Sequence, residues 1–393
     1  MVTRKRRITL FTGTRADYGL LRPLALQLKG MNDVDLSFLV SGAHLSEKHG
    51  LTVREIDADG FDHQERVAIL DGDDSDLGIA AAIGRGVSGY AAALRRLQTD
   101  ILVILGDRYE ALAAAIAATV CTVPVAHIHG GELSFGAMDD VFRHSITKMS
   151  HLHFCATEPY RQRVIQLGEH PERVFHTGAP GVENALNLPL ASREETAARL
   201  GLRPDQPYIL ATFHPATLEA ASPADQLTML LDVLAEQDGY VSVFTGANAD
   251  AHGQELNLLL EARTKAAPKR FRYFTSLGVR FYLSAVRDAN LVVGNSSSGL
   301  IEVPSFGIPT VNIGSRQNGR TMADSVICCP ATREGIRSAV AEALRPETRA
   351  AARTVVNPYG KPGTSRLIAE TLRNVTLEGL VNKGFYDMPA PHC

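Results

Sequence analysis

The sequence predicts an α/β protein made of two Rossmann-like domains that face each other across a cleft. At 393 residues the chain is too long for one compact core, so two domains are expected. In both halves, short apolar runs alternate with segments of helical periodicity, which is the pattern of parallel βαβ units. In both halves, polar side chains also gather where the apolar runs end, and ligands of such sheets bind beyond the carboxyl ends of the strands.

The first half is organised around the stretch from Leu105 to Lys148. The apolar run Ile101 to Leu105 leads into Gly106-Asp107-Arg108, and an alanine-rich segment without Gly or Pro follows. A second apolar run, Val123 to Ile128, leads into His129-Gly130-Gly131-Glu132. This order predicts a strand, a helix, a second strand and a loop, which together form one parallel βαβ unit.

Ionisable side chains follow both of these predicted strands. Asp107 comes after the first strand, and His129 and Glu132 come after the second. Asp139 and Arg143 lie at the start of the next helical segment. Helix capping would account for Asp139, but it would not account for the whole group. The sequence therefore predicts that these side chains form a site for proton transfer.

The first strand, Arg7 to Thr12, runs into a turn that holds Gly13, Arg15 and Asp17. Such a turn before a helix can receive an anion, and Arg15 could bind a phosphate in bidentate fashion or be an exposed loop charge. The glycine spacing does not match a dinucleotide-binding fingerprint. The acidic run at 71–76 lacks the spacing of a calcium loop and is interpreted as a surface loop. His151 and His153 are expected to alternate on a strand in a structural role.

The second half repeats the pattern. One apolar run ends at His214, a second ends shortly before Asn248, and a third ends at Gly294. Three serines and Gly299 follow Gly294, where backbone amides and hydroxyls at a helix start suit a diphosphate. Glu302 is expected about one turn inside that helix, where its carboxylate could accept hydrogen bonds from a ribose diol. The alternative is an ordinary serine cap followed by a solvated glutamate.

Composition narrows the class of protein. An apolar fraction of 45% and a net charge of −3 give no overall attraction to nucleic acid or to a membrane, and no run approaches the length of a membrane span. The five cysteines show no metal spacing, and Cys328-Cys329 is expected to pack in a strand. A reducing, cytoplasmic location is expected. We also expect a homo-oligomer, either a dimer or a tetramer.

Several ordered motifs resemble those of the hydrolysing UDP-N-acetylglucosamine 2-epimerases of bacterial sialic acid synthesis. The resemblance covers nearly the whole chain. The motifs are GTRADYG from Gly13, GDRYE from Gly106, HIHGGE from His127, RHSITKMSHLHF from Arg143, GNSSSGLIEVPS from Gly294 and NIGSRQNGR from Asn312.

The resemblance implies a fold similar to glycosyltransferase type B, with a UDP-sugar bound in the interdomain cleft and with no metal or cofactor. The implied domains are residues 1–181, which carry the catalytic carboxylates, and residues 182–364, which bind UDP. Residues 365–393 would pack back on the first domain. The implied reaction eliminates UDP to give 2-acetamidoglucal and then adds water, which yields N-acetylmannosamine and UDP.

By position, Asp107 and Asp139 resemble the family's catalytic carboxylates. Some members have Glu where this chain has His129, so either His129 or Glu132 takes that role. The expected substrate-binding residues are Arg15, Asp17, Arg108, Arg143, His214, Asn248, Ser296, Ser297, Ser298, Gly299, Glu302 and Arg316. Three alternatives remain open: the same reaction on UDP-2,4-diacetamido-2,4,6-trideoxy-glucose, a type-B glycosyltransferase, and a UDP-sugar-binding protein without turnover.

Overall fold

A computed structural model describes residues 4–73, 75–134, 138–215, 222–246 and 253–388. It confirms the prediction of two α/β domains with parallel sheets. The first compact unit comprises Met1–Glu132, Met138–Glu183 and Lys361–Cys393, and the second comprises Leu133–Ala137 and Asn184–Gly360. Each unit is built around its own sheet.

The first sheet has seven parallel strands in the order β3-β2-β1-β4-β5-β6-β7, and the second has six in the order β10-β9-β8-β11-β12-β13. Central strands such as β4 consist of apolar residues that are buried on both faces, as parallel sheets covered by helices require. The strands are β1 Arg6–Thr12, β2 Val34–Ser41, β3 Gln64–Val67, β4 Ile101–Leu105, β5 Val125–Ile128, β6 Leu152–Cys155, β7 Val174–His176, β8 Tyr208–Thr212, β9 Val241–Thr245, β10 Phe271–Phe274, β11 Leu291–Gly294, β12 Thr310–Ile313 and β13 Val326–Cys329.

Helices connect the strands of both sheets. They are α1 Arg15–Lys29, α2 Val53–Ala58, α3 Asp76–Leu97, α4 Tyr109–Val120, α5 Asp139–Met149, α6 Glu158–Gln166, α7 Pro180–Asn187, α8 Arg193–Leu200, α9 Pro223–Ala235, α10 Gly253–Ala266, α11 Gly278–Asp288, α12 Ser298–Ile301, α13 Arg333–Ala343, α14 Pro346–Ala352 and α15 Thr364–Asn374. The last helix, α15, packs in the first unit, where Ile368 and Leu372 share a core with Leu21 and Leu24 of α1.

Helix α3 corrects one expectation. Within the part of the chain that the structure describes, it is long and apolar enough, by length and composition alone, to cross a membrane. The sequence reading that no run approaches this length is therefore wrong. Tyr90, Ala93 and Leu94 of α3 are buried in a core with alanines of α4, so packing in this unit accounts for its apolar character.

Three local expectations also differ from the structure. The sequence did not predict strand β3. This strand lies at the edge of the first sheet and is half-exposed, so its residues do not form an apolar run. His151 precedes β6 instead of lying on it, and only His153 is a strand residue. Helix α12 contains four residues, so Glu302 is its C-cap and is not one turn inside a longer helix.

The second sheet brings β11 and β8 close together at their carboxyl ends. Gly294 ends β11 with φ +139°, and a Cβ atom there would lie 1.9 Å from the Thr212 carbonyl oxygen. A side chain at this position would therefore clash with the neighbouring backbone. The close approach places the residues after Gly294 beside those after Thr212, where His214 follows.

Candidate functional site

In the first unit, the parallel pairing of β4 with β5 brings two polar segments to one edge of the sheet. Leu105 pairs with Ile128, and both are the last residues of their strands. Asp107 therefore follows β4 next to the place where the His129–Glu132 segment follows β5. The backbone amide of Gly106 donates to the Ile128 carbonyl at 3.0 Å and extends the pairing to this edge.

Asp107 forms an ion pair with Arg143 of α5. The Arg143 side chain is 3% exposed, whereas the Asp107 side chain is 20% exposed. Nε and Nη1 of Arg143 have no hydrogen-bond partner among the described residues. A buried guanidinium with unpaired donors is costly in free energy. The negative charge of Asp107 offsets part of this cost. The ion pair fixes the direction of the Asp107 carboxylate.

Asp139 is the first residue of α5. Residues four apart lie on the same face of a helix, so Asp139 and Arg143 share a face of α5. The structure therefore brings the N-terminal turn of α5, which carries Asp139, to the region of the Asp107–Arg143 ion pair.

His129 and Glu132 form a second buried pair. The Nδ1 atom of His129 donates to Oε1 of Glu132 at 2.5 Å, and both side chains are almost fully buried. His129 has a positive φ of 68°, and Gly131 has a φ of 81°. A Cβ at Gly131 would lie 2.4 Å from the Tyr160 carbonyl oxygen, so glycine is needed for this turn. Because Nδ1 is held by the carboxylate, a hydrogen bond from His129 to any further group must involve Nε2.

His127 has a different role from His129. Its Nε2 atom donates to the Gly106 carbonyl oxygen at 2.7 Å, so Nδ1 accepts from the Thr147 hydroxyl at 3.2 Å. The side chain is fully buried, and burial lowers the pKa of His127 to about 3. His127 is therefore neutral near pH 7 and connects the end of β4 to α5.

Arg15, Asp17 and Arg108 lie at the ends of β1 and β4. Oδ2 of Asp17 accepts the Thr14 amide at 2.9 Å while the Thr14 hydroxyl accepts the Asp17 amide, so Thr14, the N-cap, and Asp17 form a capping box at the start of α1. Burial raises the pKa of Asp17 to about 6. Arg15 is the exposed first residue of α1.

Glu110 is a residue of this region to which the sequence reading gave no role. Its carboxylate is 1% exposed and pairs with the Arg108 guanidinium at 3.2 Å. Arg108 and Glu110 both belong to the GDRYE motif, but only the structure shows that they form an ion pair. Glu110 fixes the direction of Arg108, which is a predicted substrate ligand.

In the second unit, Asn295 joins two loops. Its side-chain oxygen accepts the His214 amide at 2.7 Å, and its side-chain nitrogen donates to the His214 carbonyl at 2.8 Å. The carbonyl of Asn295 accepts from Arg316 at 3.1 Å and from Gln317 at 2.8 Å. Asn295 therefore brings His214 and Arg316 together. The sequence reading assigned it no role, although it lies within the GNSSSG motif.

The serine turn that follows is fixed from both sides. The Tyr282 hydroxyl donates to Oγ of Ser298 at 2.9 Å, and the Thr310 hydroxyl donates to the Gly299 carbonyl at 3.0 Å. A Cβ at Gly299 would lie 2.9 Å from Cγ2 of Thr310, so the turn packs tightly on β12. Ser296 and Ser297 are half-buried. Glu302 follows α12 directly. Asn248 lies outside the described residues.

No group of three or more His, Cys, Asp or Glu side chains that could hold a metal ion occurs among the described residues. The candidate groups are instead organised as an ion pair and an imidazole–carboxylate pair in the first unit. In the second unit, the candidate groups are donors of hydrogen bonds and positive charge. Groups of the first kind are suited to proton transfer, and groups of the second kind are suited to binding an anion.

The low pKa of His127 leads to a prediction about stability. In the unfolded chain this histidine takes up a proton below about pH 6.5, whereas in the folded protein it does so only near pH 3. The free energy of unfolding should therefore decrease as pH falls from 7 towards 4, with His127 contributing about 1.4 kcal/mol per pH unit. Urea unfolding of wild type and His127→Gln between pH 7 and pH 4 measures this, and the variant should show the smaller slope. Equal slopes would contradict it.

Comparison with known proteins identifies the family. Residues 26–373 match the model of the UDP-N-acetylglucosamine 2-epimerase family. A relative from Campylobacter jejuni, GDP/UDP-N,N'-diacetylbacillosamine 2-epimerase (hydrolyzing), is 36% identical over 82% of this chain and 84% of its own length. A relative from Escherichia coli, polysialic acid biosynthesis protein P7, is 34% identical over 98% of each chain.

The fold is also similar to that of a solved structure. The UDP-GlcNAc 2-epimerase from Neisseria meningitidis bound to UDP-GlcNAc aligns with a TM-score of 0.77 at 16% identity, over 93% of this chain and 99% of that one. At this identity the likeness concerns the fold. The family match and the relatives above 30% identity show more, and the chain belongs to the UDP-N-acetylglucosamine 2-epimerase family, whose hydrolysing members are enzymes that act on UDP-sugars.

Proposed function

We propose that the chain is a hydrolysing 2-epimerase that converts UDP-N-acetylglucosamine and water to N-acetylmannosamine and UDP, for the synthesis of sialic acids. The observation that carries the proposal is the pairing of β4 with β5, which brings Asp107 and the His129–Glu132 pair to one edge of the first sheet. Proton-transfer groups in this number have no purpose in a protein that only binds a UDP-sugar.

The proposed reaction has two steps. In the first, a base removes the proton at carbon 2 while the bond between carbon 1 and the UDP oxygen breaks, which gives 2-acetamidoglucal and UDP. In the second, water adds its oxygen to carbon 1, and a proton returns to carbon 2 on the opposite face of the ring. Neither step changes the net oxidation state of the sugar, so the reaction needs no redox cofactor.

The residues of the first unit are proposed to move these protons. Asp107 is held by Arg143, and Asp139 lies on the same face of α5 as that arginine. Glu132 orients His129 through Nδ1, and one of these two side chains is proposed to transfer a proton. A positioned acid or base of this kind typically contributes ~10²–10⁴-fold in rate.

The residues of the second unit are proposed to hold the nucleotide. His214, Arg316 and the Ser296–Ser298 turn supply donors and positive charge for a diphosphate that gains charge as it leaves. Glu302 is proposed to accept hydrogen bonds from the ribose. In the first unit, Arg15 and Arg108 are proposed to bind the substrate as cationic groups. Asn248 is included in this set from the sequence alone.

The name of the Campylobacter jejuni relative favours a second candidate substrate, UDP-N,N'-diacetylbacillosamine. This sugar carries an acetamido group at carbon 4 and lacks the 6-hydroxyl, but it has the same carbon 1 and carbon 2 chemistry. Turnover of the two UDP-sugars, measured side by side as released UDP, distinguishes the candidates. The higher kcat/KM identifies the substrate, and a requirement for an added acceptor would instead indicate a glycosyltransferase.

The proposal includes a cytoplasmic, homo-oligomeric enzyme. The described cysteines, Cys121, Cys155, Cys328 and Cys329, are free thiols, which supports a reducing compartment.

The nucleotide assignment predicts an effect on UDP affinity. Changing Ser296 and Ser297 together to Ala removes two hydroxyl groups that can bind phosphate oxygens. Each lost hydrogen bond to a charged group weakens binding by about 1.5–3 kcal/mol, so Kd for UDP should rise at least tenfold. Calorimetric titration with UDP measures this, and Ser338→Ala on the exposed side of α13 serves as the control. An unchanged Kd would remove the serine turn from the site.

The proton-transfer assignment predicts a loss of turnover with UDP binding retained. Asp107→Asn, Glu132→Gln and Asp139→Asn should each lower kcat by ~10²-fold or more and leave Kd for UDP within about twofold. In deuterium oxide, the product of the wild type should carry solvent deuterium at carbon 2. Wild-type rates in all three variants, or a product without deuterium at carbon 2, would rule out the elimination mechanism.

His129→Asn separates the two members of the buried pair. Asparagine accepts a positive φ and can still donate to Glu132, but it cannot carry a proton in the way an imidazole does. If His129 transfers the proton, kcat should fall as far as it does in Glu132→Gln. A small effect would assign the proton transfer to Glu132 alone. Measurement of kcat for both variants distinguishes these outcomes.

A further inference from the structure

A buried charge cluster lies at the end of α5 opposite to Asp139. Glu169 is 2% exposed and accepts hydrogen bonds from Lys148 at 2.7 Å, from Nε2 of His153 at 3.0 Å and from Lys383 at 2.8 and 2.9 Å. Although burial alone would raise the pKa of Glu169, the hydrogen bonds from His153, Lys148 and Lys383 lower it to about 2. Glu169 is therefore an ionised carboxylate that accepts from three different side chains, and the reaction proposed above makes no use of this cluster.

Lys383 enters this cluster from the C-terminal segment that follows α15. The segment is docked on the first unit by further contacts: Arg173 donates to the Leu380 carbonyl at 3.0 Å, and the Tyr386 amide donates to the Gly168 carbonyl at 2.9 Å. The Phe385 ring lies so close to Gly168 that a Cβ there would be 2.4 Å from it. Residues 380–386 are thus held in place on both sides of Lys383.

Lys383 also binds the end of α5 itself. Its ammonium group donates to the carbonyl of Ser150, the C-cap of α5, at 2.5 Å. A cation at this position interacts favourably with the unpaired carbonyls at a helix C-terminus. Lys148, in the last turn of α5, meets the same Glu169. The C-terminal end of α5 is therefore fixed by two lysines that share one buried carboxylate.

Helix α5 connects this cluster to the candidate site. Along its 11 residues, Arg143 binds Asp107, Thr147 binds His127, and Lys148 binds Glu169. A helix of this length is a rod of about 16 Å, so a shift at one end moves the groups at the other. A misplacement of about 1 Å in a catalytic group can cost ~10²-fold in rate.

We propose that Lys383 is a positioning residue for catalysis, which acts by holding α5 so that Asp139 and Arg143 stay in place at the first sheet. The C-terminal segment is then a component of the active enzyme. This role rests on the proposed function in one respect, namely that Asp139 and Arg143 serve the reaction.

The first test is kinetic. Lys383→Met keeps the apolar stem and leaves Glu169 paired with Lys148 and His153, so the fold is expected to persist. Its kcat should fall about tenfold or more, while Kd for UDP stays within about twofold. Lys383→Arg, which retains the charge, should recover most of kcat. Lys5→Met, at an exposed position before β1, is the matched control and should match the wild type.

The second test reads α5 directly and needs no substrate. In Lys383→Met, amide hydrogen exchange measured by mass spectrometry should become faster in peptides that cover Asp139–Met149 and stay unchanged in peptides that cover α1. Unchanged exchange in α5, or faster exchange in α1 and α5 alike that Lys383→Arg does not restore, would overturn the proposal.

The two proposals can fail separately. If wild type turns over neither UDP-sugar, the proposed function fails whatever the exchange data show. If wild type is active and Lys383→Met retains full kcat, the positioning role is wrong and the proposed function stands.

Discussion

The hydrogen bonds of His127 are the constraint on which the first unit's candidate site depends. One ring nitrogen donates to the carbonyl of Gly106, which follows β4, and the other accepts from Thr147 in the last turn of α5. This works because the imidazole is neutral: burial removes the charged form, and a neutral ring has one donor and one acceptor to place between a carbonyl and a hydroxyl. Asp107 follows Gly106 directly, and Arg143 lies one turn before Thr147. The bridge therefore sets the distance over which the Asp107–Arg143 ion pair forms.

In the second unit, the side-chain amide of Asn295 connects two segments in a comparable way. Asn295 presents one donor and one acceptor to the backbone of His214, while its own carbonyl receives Arg316 and Gln317. A carboxylate at this position could not donate to the His214 carbonyl, and a hydroxyl could not span both backbone groups. In each unit, a neutral side chain with both a donor and an acceptor, His127 or Asn295, holds segments that carry charged side chains.

Features that depend on neighbouring residues in the chain could be predicted from the sequence, whereas features that depend on distant residues could not. The five apolar residues of β4 predict a buried strand, and the structure has it at the same bounds. Strand β3 lies at an edge and is half-exposed, so its composition resembles that of a loop. Glu302 was expected inside a longer helix. Pro304 follows it, however, and the chain instead forms a short 3-10 turn at Val303–Phe306. The roles of Glu110 and Asn295 depend on partners that only the fold brings near, although both residues lie within motifs that the sequence displays.

Electrostatics also explain why a histidine, and not a second glutamate, suits position 129 beside Glu132. Its partner Glu132 is buried and only 2.5 Å away. Two carboxylates at that distance cannot both be ionised in a buried site, so a Glu–Glu pair must share a proton. An imidazole beside Glu132 instead donates a hydrogen bond to the carboxylate through Nδ1. With His129 at the carboxyl end of β5, the repulsion that a second buried carboxylate beside Glu132 would introduce is absent.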